Sequence, residues 1–259
     1  MGKVYLVGAG PGAPDLLTLR AARLLGEADI VFYDALVHPD TLKLATKARL
    51  VDVGKRNGKA STEQRFTNRA LVEAAKSHAV VVRLKGGDPM IFGRAQEELD
   101  ALAAAGIECD VVPGITAAHA ASASLGVSLT RRGLSRNVAF VTPRAGEGQS
   151  PVEWLAVASA ADTIALYMAS TQAHAVATDL IAAGRTPDTP AVFIENASLP
   201  SERRVVTTLQ ALRSGPTPSF EGPAILLVGE VFRELSLSVM EHEAELRLAV
   251  TERCQAKSA

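Results

Sequence analysis

The sequence predicts an α/β fold in two domains, on three observations. Short apolar runs recur along the 259 residues, and most end at Gly, Pro, Asp or Asn. Helical stretches with Leu and Ala at i, i+3 and i+4 lie between many of them, and strand–helix–strand alternation implies layered α/β architecture. Nine such runs are many for one compact sheet, and PGITAAHAASASLG (113–126), poor in large core residues, separates the fifth from the sixth.

The expected strands are VYLV (4–7), DIVFY (29–33), ARLVDV (48–53), AVVVRL (79–84), ECDVV (108–112), NVAFV (137–141), TIALYM (163–168), AVFIE (191–195) and AILLV (224–228). Several are continuously apolar, as in parallel strands covered on both faces. The expected helices are 16–28, 65–77, 93–106 and 170–184, the last two closing at Gly. The small-residue helix in 113–126 suits a domain junction. The domains are therefore placed at 1–113 and 127–235, with a linker helix at 114–126 and a charged tail at 236–259.

Composition narrows the function. A formal net charge of −1 argues against non-specific nucleic-acid binding. The two cysteines, Cys109 and Cys254, have no metal-binding spacing, so no metal is expected. No apolar run reaches a membrane span and no export signal precedes the first strand, so the expected location is the cytoplasm, away from membranes.

Two glycine-rich strand ends stand out. The first, VGAGPGAPD, carries Gly8, Gly10 and Gly12, and permits tight turning and a close ligand approach. It departs from the G-x-G-x-x-G dinucleotide fingerprint, and Pro11 and Pro14 remove N–H donors from a phosphate cradle. Asp34 follows Gly12 at about the ribose-binding spacing of a Rossmann dehydrogenase, which keeps a nicotinamide enzyme open as an alternative. A two-domain ligand-binding protein is another. The second strand end is LKGGDPMIFGR (84–94), and ligands of open α/β sheets bind at strand carboxyl ends.

In order along the chain come VYLVGAGPGAPDLLTL, VFYDALV, DVGKR, LKGGDPMIFGRAQEE, VVPGITAA, SLTRRG, ALYMA and IENASLPSERRV. Together they resemble the tetrapyrrole methyltransferases, in the branch that acts on uroporphyrinogen III. The resemblance spans roughly residues 3–232. It implies the class III methyltransferase fold, two α/β domains with a cleft between them, usually as a homodimer. It implies S-adenosyl-L-methionine as methyl donor and S-adenosyl-L-homocysteine as product. The reaction would be methylation of uroporphyrinogen III at two pyrrole carbons, C2 and C7, giving precorrin-2 by way of precorrin-1. The product would feed sirohaem, cobalamin or haem d1 synthesis. A methyltransferase of a later precorrin is the alternative within the fold. Relatives often carry a fused dehydrogenase–chelatase, and the chain is expected to be monofunctional.

Residue roles follow from the same resemblance. Pro11, Gly86, Gly87, Asp88, Ile91, Thr116, Ala117, Met168 and Ala197 match donor-binding positions. Ala197 stands where relatives have glycine, and alanine serves there only outside the left-handed region. Asp34 matches the proton acceptor and Lys55 the proton donor. The implied substrate carries many carboxylates, so Arg94 is expected to position it and take part in catalysis, and Arg94, Glu97 and Arg132 would bind it, with guanidinium groups suited to carboxylates.

Overall fold

The computed structural model describes residues 1–54, 60–144 and 153–237. Lys55 and the tail from 238 onward lie outside them. The chain divides into two units, Met1–Ala120 with Ala197–Pro200, and Ala121–Asn196 with the chain from Ser201. The division falls inside the small-residue helix rather than at 113, and it returns four residues of the 127–235 stretch to the first unit.

In the first unit the order is β1 (Lys3–Gly8), α1 (Leu19–Glu27), β2 (Ile30–Tyr33), α2 (Pro39–Leu42), β3 (Arg49–Asp52), α3 (Ala60–Ser77), β4 (Val80–Lys85), α4 (Ala95–Ala104) and β5 (Cys109–Val112). The sheet runs β3-β2-β4-β1-β5 with every pairing parallel. Alternate residues serve opposite faces. Val7, Val31, Val82 and Leu84 pack with Leu24 and Leu25 of α1. Val4, Leu6, Ile30 and Val81 pack with Leu71 of α3 and Leu102 of α4. A sheet covered on both faces explains the continuous apolar runs. Thr18 caps α1, its side chain accepting from Ala21 N.

Helix α5 (Ala117–Leu125) carries the chain across the division. In the second unit follow β6 (Val138–Val141), α6 (Glu153–Ala160), β7 (Thr163–Leu166), α7 (Ala173–Ala182), β8 (Pro190–Glu195), β9 (Arg203–Thr208), α8 (Leu209–Ser214) and β10 (Ala224–Gly229). The order is β6-β7-β10-β8-β9, and only β6 and β7 pair in parallel. This mixed sheet corrects the parallel reading of its apolar runs, because strands buried on both faces read the same in either direction. Ile164, Phe193, Leu226 and Val228 pack with residues of α6, α7 and α8 such as Ala158, Leu180 and Leu209. Strand β9, RRVVTT, was missing from the expected set. It is an edge strand with no fully buried residue, so it lacks the apolar run that marked the others.

Candidate active site

The parallel sheet of the first unit places four consecutive strand ends side by side. In sheet order they are β2, β4, β1 and β5, and they lead into Asp34, Gly86, Ala9 and Pro113. Three of the following loops are tied together. Gly10 and Gly87 form an antiparallel bridge, with N–H···O distances of 3.2 and 2.7 Å. Asp88 accepts from Met90 N at 2.8 Å through Oδ1 and from Gly114 N at 2.9 Å through Oδ2. The carboxylate thus closes its own turn and clamps the loop after β5 to the loop after β4.

The glycines have divided roles. A Cβ on Gly114 would lie 2.3 Å from the Gly87 carbonyl oxygen, so backbone meets backbone there. Gly87 has φ of 68°, and a Cβ on it would meet only Thr116 Cα, at 3.9 Å. Loop contact, rather than ligand contact, thus demands Gly114. Gly87 is instead open at its Cβ position, and Thr116 and Ala117 follow at the start of α5. Pro11 continues directly from the bridged Gly10.

Ala197 joins this group through its neighbours. Ala13 N donates to Ser198 Oγ at 3.1 Å, and Leu199 packs where a side chain on Gly12 would stand. The chain takes positive φ at Asn196 and Ser198, at 52° and 73°, and not at Ala197. The condition for alanine at this position is met. Among the described residues, five non-glycine residues have positive φ: Phe92, Arg94, Met168, Asn196 and Ser198. Each is an expected site residue or adjoins one. Such conformations cost of order 1–3 kcal/mol and concentrate at functional sites.

Ile91 is half-buried in the turn after Pro89, its N–H donating to Asp88 O at 3.3 Å. Arg94 is exposed, and its Nε and Nη2 fork onto Glu97 at 2.7 and 2.8 Å. That pairing holds the Glu97 carboxyl below its ordinary range and raises Arg94. The structure therefore joins two expected substrate contacts to each other. Met168 and Arg132 belong to the second unit. Met168 stands two residues beyond β7 with φ of 57° and an exposed side chain. Arg132 is exposed in the turn closed by the Arg131–Ser135 bridge.

One cluster escaped the sequence reading. Arg83 and Lys85 project from β4 onto the face covered by α3 and α4, where Glu98 of α4 is completely buried. Glu98 Oε1 accepts from Arg83 Nε at 3.0 Å, Gln64 Nε2 at 3.0 Å and Lys85 Nζ at 3.1 Å, and Oε2 accepts from Lys85 at 3.1 Å. Arg83 Nη2 reaches Asp34 Oδ1. Burial, then the charge of Arg83, pushes the Lys85 pKa down. Two cations two residues apart in a buried strand were the available sign.

Comparison with known proteins identifies the class to which this pair of sheets belongs, a family of methylases. The chain belongs to the tetrapyrrole (corrin/porphyrin) methylases, whose family model matches residues 3–213. A uroporphyrinogen-III C-methyltransferase of Pseudomonas aeruginosa is 46% identical over 235 residues, covering 90% of this chain and 96% of that protein. A crystal structure of the Thermus thermophilus uroporphyrin-III C-methyl transferase, complexed with S-adenyl homocysteine, has a TM-score of 0.78 at 41% identity, covering 90% of this chain and 99% of that one. The structure of a cobalt precorrin-4 methyltransferase is less similar, with a TM-score of 0.75 at 32% identity over 88% of this chain and 95% of that one.

Proposed function

We propose that this chain is a methyltransferase that uses S-adenosyl-L-methionine to methylate uroporphyrinogen III at C2 and C7, giving precorrin-2 through precorrin-1. The observation that carries the reading is the convergence of Pro11, Gly87, Asp88, Thr116 and Ala197 in one set of tied strand-end loops. That a Cβ on Gly87 would meet only Thr116 Cα, at 3.9 Å, supports a donor lying along the backbone there. S-adenosyl-L-methionine, when bound, supplies a methyl group on a sulfonium. Pro11, Gly86, Gly87, Asp88, Ile91, Thr116, Ala117 and Ala197 would hold it, with Met168 assigned to it by resemblance.

The remaining roles belong to the chain's own groups. The acceptor is a polycarboxylate, and Arg94, Glu97 and Arg132 would orient it, with arginine matching carboxylate geometry. Methylation leaves a proton to be removed from the macrocycle, and Asp34 at the end of β2 is the base. Lys55 is assigned as the proton donor. Helix α5 serves as the junction between two domains. The working form is read as a cytoplasmic homodimer. Family resemblance supports this, and among the described residues no helix is long and apolar enough to cross a membrane. A mass near twice the chain's, by light scattering, is the expected result.

Anaerobic incubation with S-adenosyl-L-methionine and enzymatically made uroporphyrinogen III tests the main reading. The expected product is heavier by two methyl groups. No methylated product, with a later precorrin methylated instead, overturns the assignment in favour of another member of the family.

A further inference from the structure

Strand β4 ends on two cations that stability alone does not explain. Arg83 and Lys85 are 4% and 3% exposed, and Glu98 is fully buried. Burying an ion costs several kcal/mol, and replacing a buried ionic group with apolar side chains is often neutral or stabilising. Val81, Leu71, Leu102 and Ala95 already form an apolar layer on this face. An arginine in this layer therefore points to a task beyond packing.

Its geometry shows one. The guanidinium is gripped on its inner side, where Nε donates to Glu98 Oε1 at 3.0 Å and Nη1 to Leu84 O at 3.2 Å. Glu98 is itself held by Lys85 at both oxygens and by Gln64. Gln64 is placed in turn by Asn68, whose Oδ1 accepts from it at 3.0 Å. The outer nitrogen, Nη2, extends to Asp34 Oδ1 at the carboxyl end of the neighbouring strand. The Asp34 side chain is 29% exposed, and among the described residues its Oδ2 makes no hydrogen bond. One oxygen of Asp34 is therefore fixed by a rigid buried network while the other is available.

We propose that Arg83 is the positioning residue for Asp34, and that Glu98 and Lys85 are its anchor. Arg83 holds Oδ1 so that Oδ2 is the oxygen that accepts the proton leaving the methylated macrocycle. Lysine is not equivalent, because it lacks the planar fork whose separate Nε and Nη2 meet Glu98 and Asp34. The inference rests on the assignment of Asp34 as base.

A double-mutant cycle on the full chain tests it. Turnover and KM are measured with uroporphyrinogen III for the wild type, Asp34→Asn, Arg83→Met and the double variant, with folding checked by thermal melting. Arg83→Met is expected to lower kcat roughly tenfold to hundredfold, the scale of a misplaced catalytic group. KM for S-adenosyl-L-methionine should stay within about twofold, and Arg83→Met should add nothing in the Asp34→Asn background. Equal losses in both backgrounds, or full activity in Arg83→Met, overturn the inference while leaving Asp34 as base. Wild-type turnover by Asp34→Asn overturns the base assignment itself. If Arg83→Met does not fold, Glu98→Gln takes its place in the cycle. A loss of kcat confined to the Asp34 background supports the inference, and unchanged or additive kcat overturns it.

Discussion

Asp88 shows how one side chain can close a turn and join two loops together. Its two oxygens satisfy two backbone N–H groups in different loops. Asp88→Ala leaves both donors without their partner, a loss of about 1–3 kcal/mol. The expected result is a lower thermal midpoint, with affinity for S-adenosyl-L-homocysteine reduced at least roughly tenfold by calorimetry. Unchanged affinity would reduce Asp88 to a turn residue. Arg94 lies farther along the same loop, paired with Glu97 in a bidentate fork, and is proposed to meet the acceptor. Arg94→Ala should abolish methylation of the tetrapyrrole and leave donor binding intact. Loss of donor binding in a folded variant would show that the division between donor and acceptor residues is wrong.

At the level of elements, glycines separate packing from permissiveness. A Cβ at position 114 would strike the backbone of both Gly87 and Gly8. Gly114→Ala should therefore lower stability by about 1–3 kcal/mol, the usual range for overpacking. Gly26 lies within α1 with nothing within 4 Å of its Cβ position. Gly26→Ala should raise stability by about 0.5–1 kcal/mol through helix propensity and a less disordered unfolded chain. Urea melts of the two variants have opposite expected signs, and a shared sign would contradict this reading of the β1, β4 and β5 loops.

For the whole molecule, several carboxyl groups titrate below their ordinary values. Glu195 is held down by N–H donation from Gly222, then by Arg203 and by Glu221 N, although burial opposes this. Glu97 is held down by Arg94, and Asp40 by Lys43. A depressed folded pKa contributes stability above the unfolded value, lost as pH falls through the folded one. Stability should thus be nearly level from neutral pH down to about 5 and decline below the ordinary carboxyl range near 4. Glu195→Gln should weaken that decline. Denaturant unfolding at pH 7, 5 and 3.5 checks both, and an undiminished acid decline in Glu195→Gln would remove Glu195 from its causes.

The sequence by itself determined the α/β class, the strands buried on both faces, and the glycine-rich strand-end turns. Apolar period and Gly–Pro punctuation are local properties that survive without a partner. The Gly-rich turns holding Gly87 and Asp88 were legible because a tight turn at a strand end narrows the choice of residue. The tertiary structure alone decided the mixed pairing of the second sheet, the edge strand β9, and the return of Ala197–Pro200 to the first unit. It also decided the partnership of Arg83, Lys85 and Glu98 beneath Asp34. Each of these depends on which distant segments are neighbours, and a charged residue in an apolar run does not name the group that neutralises it.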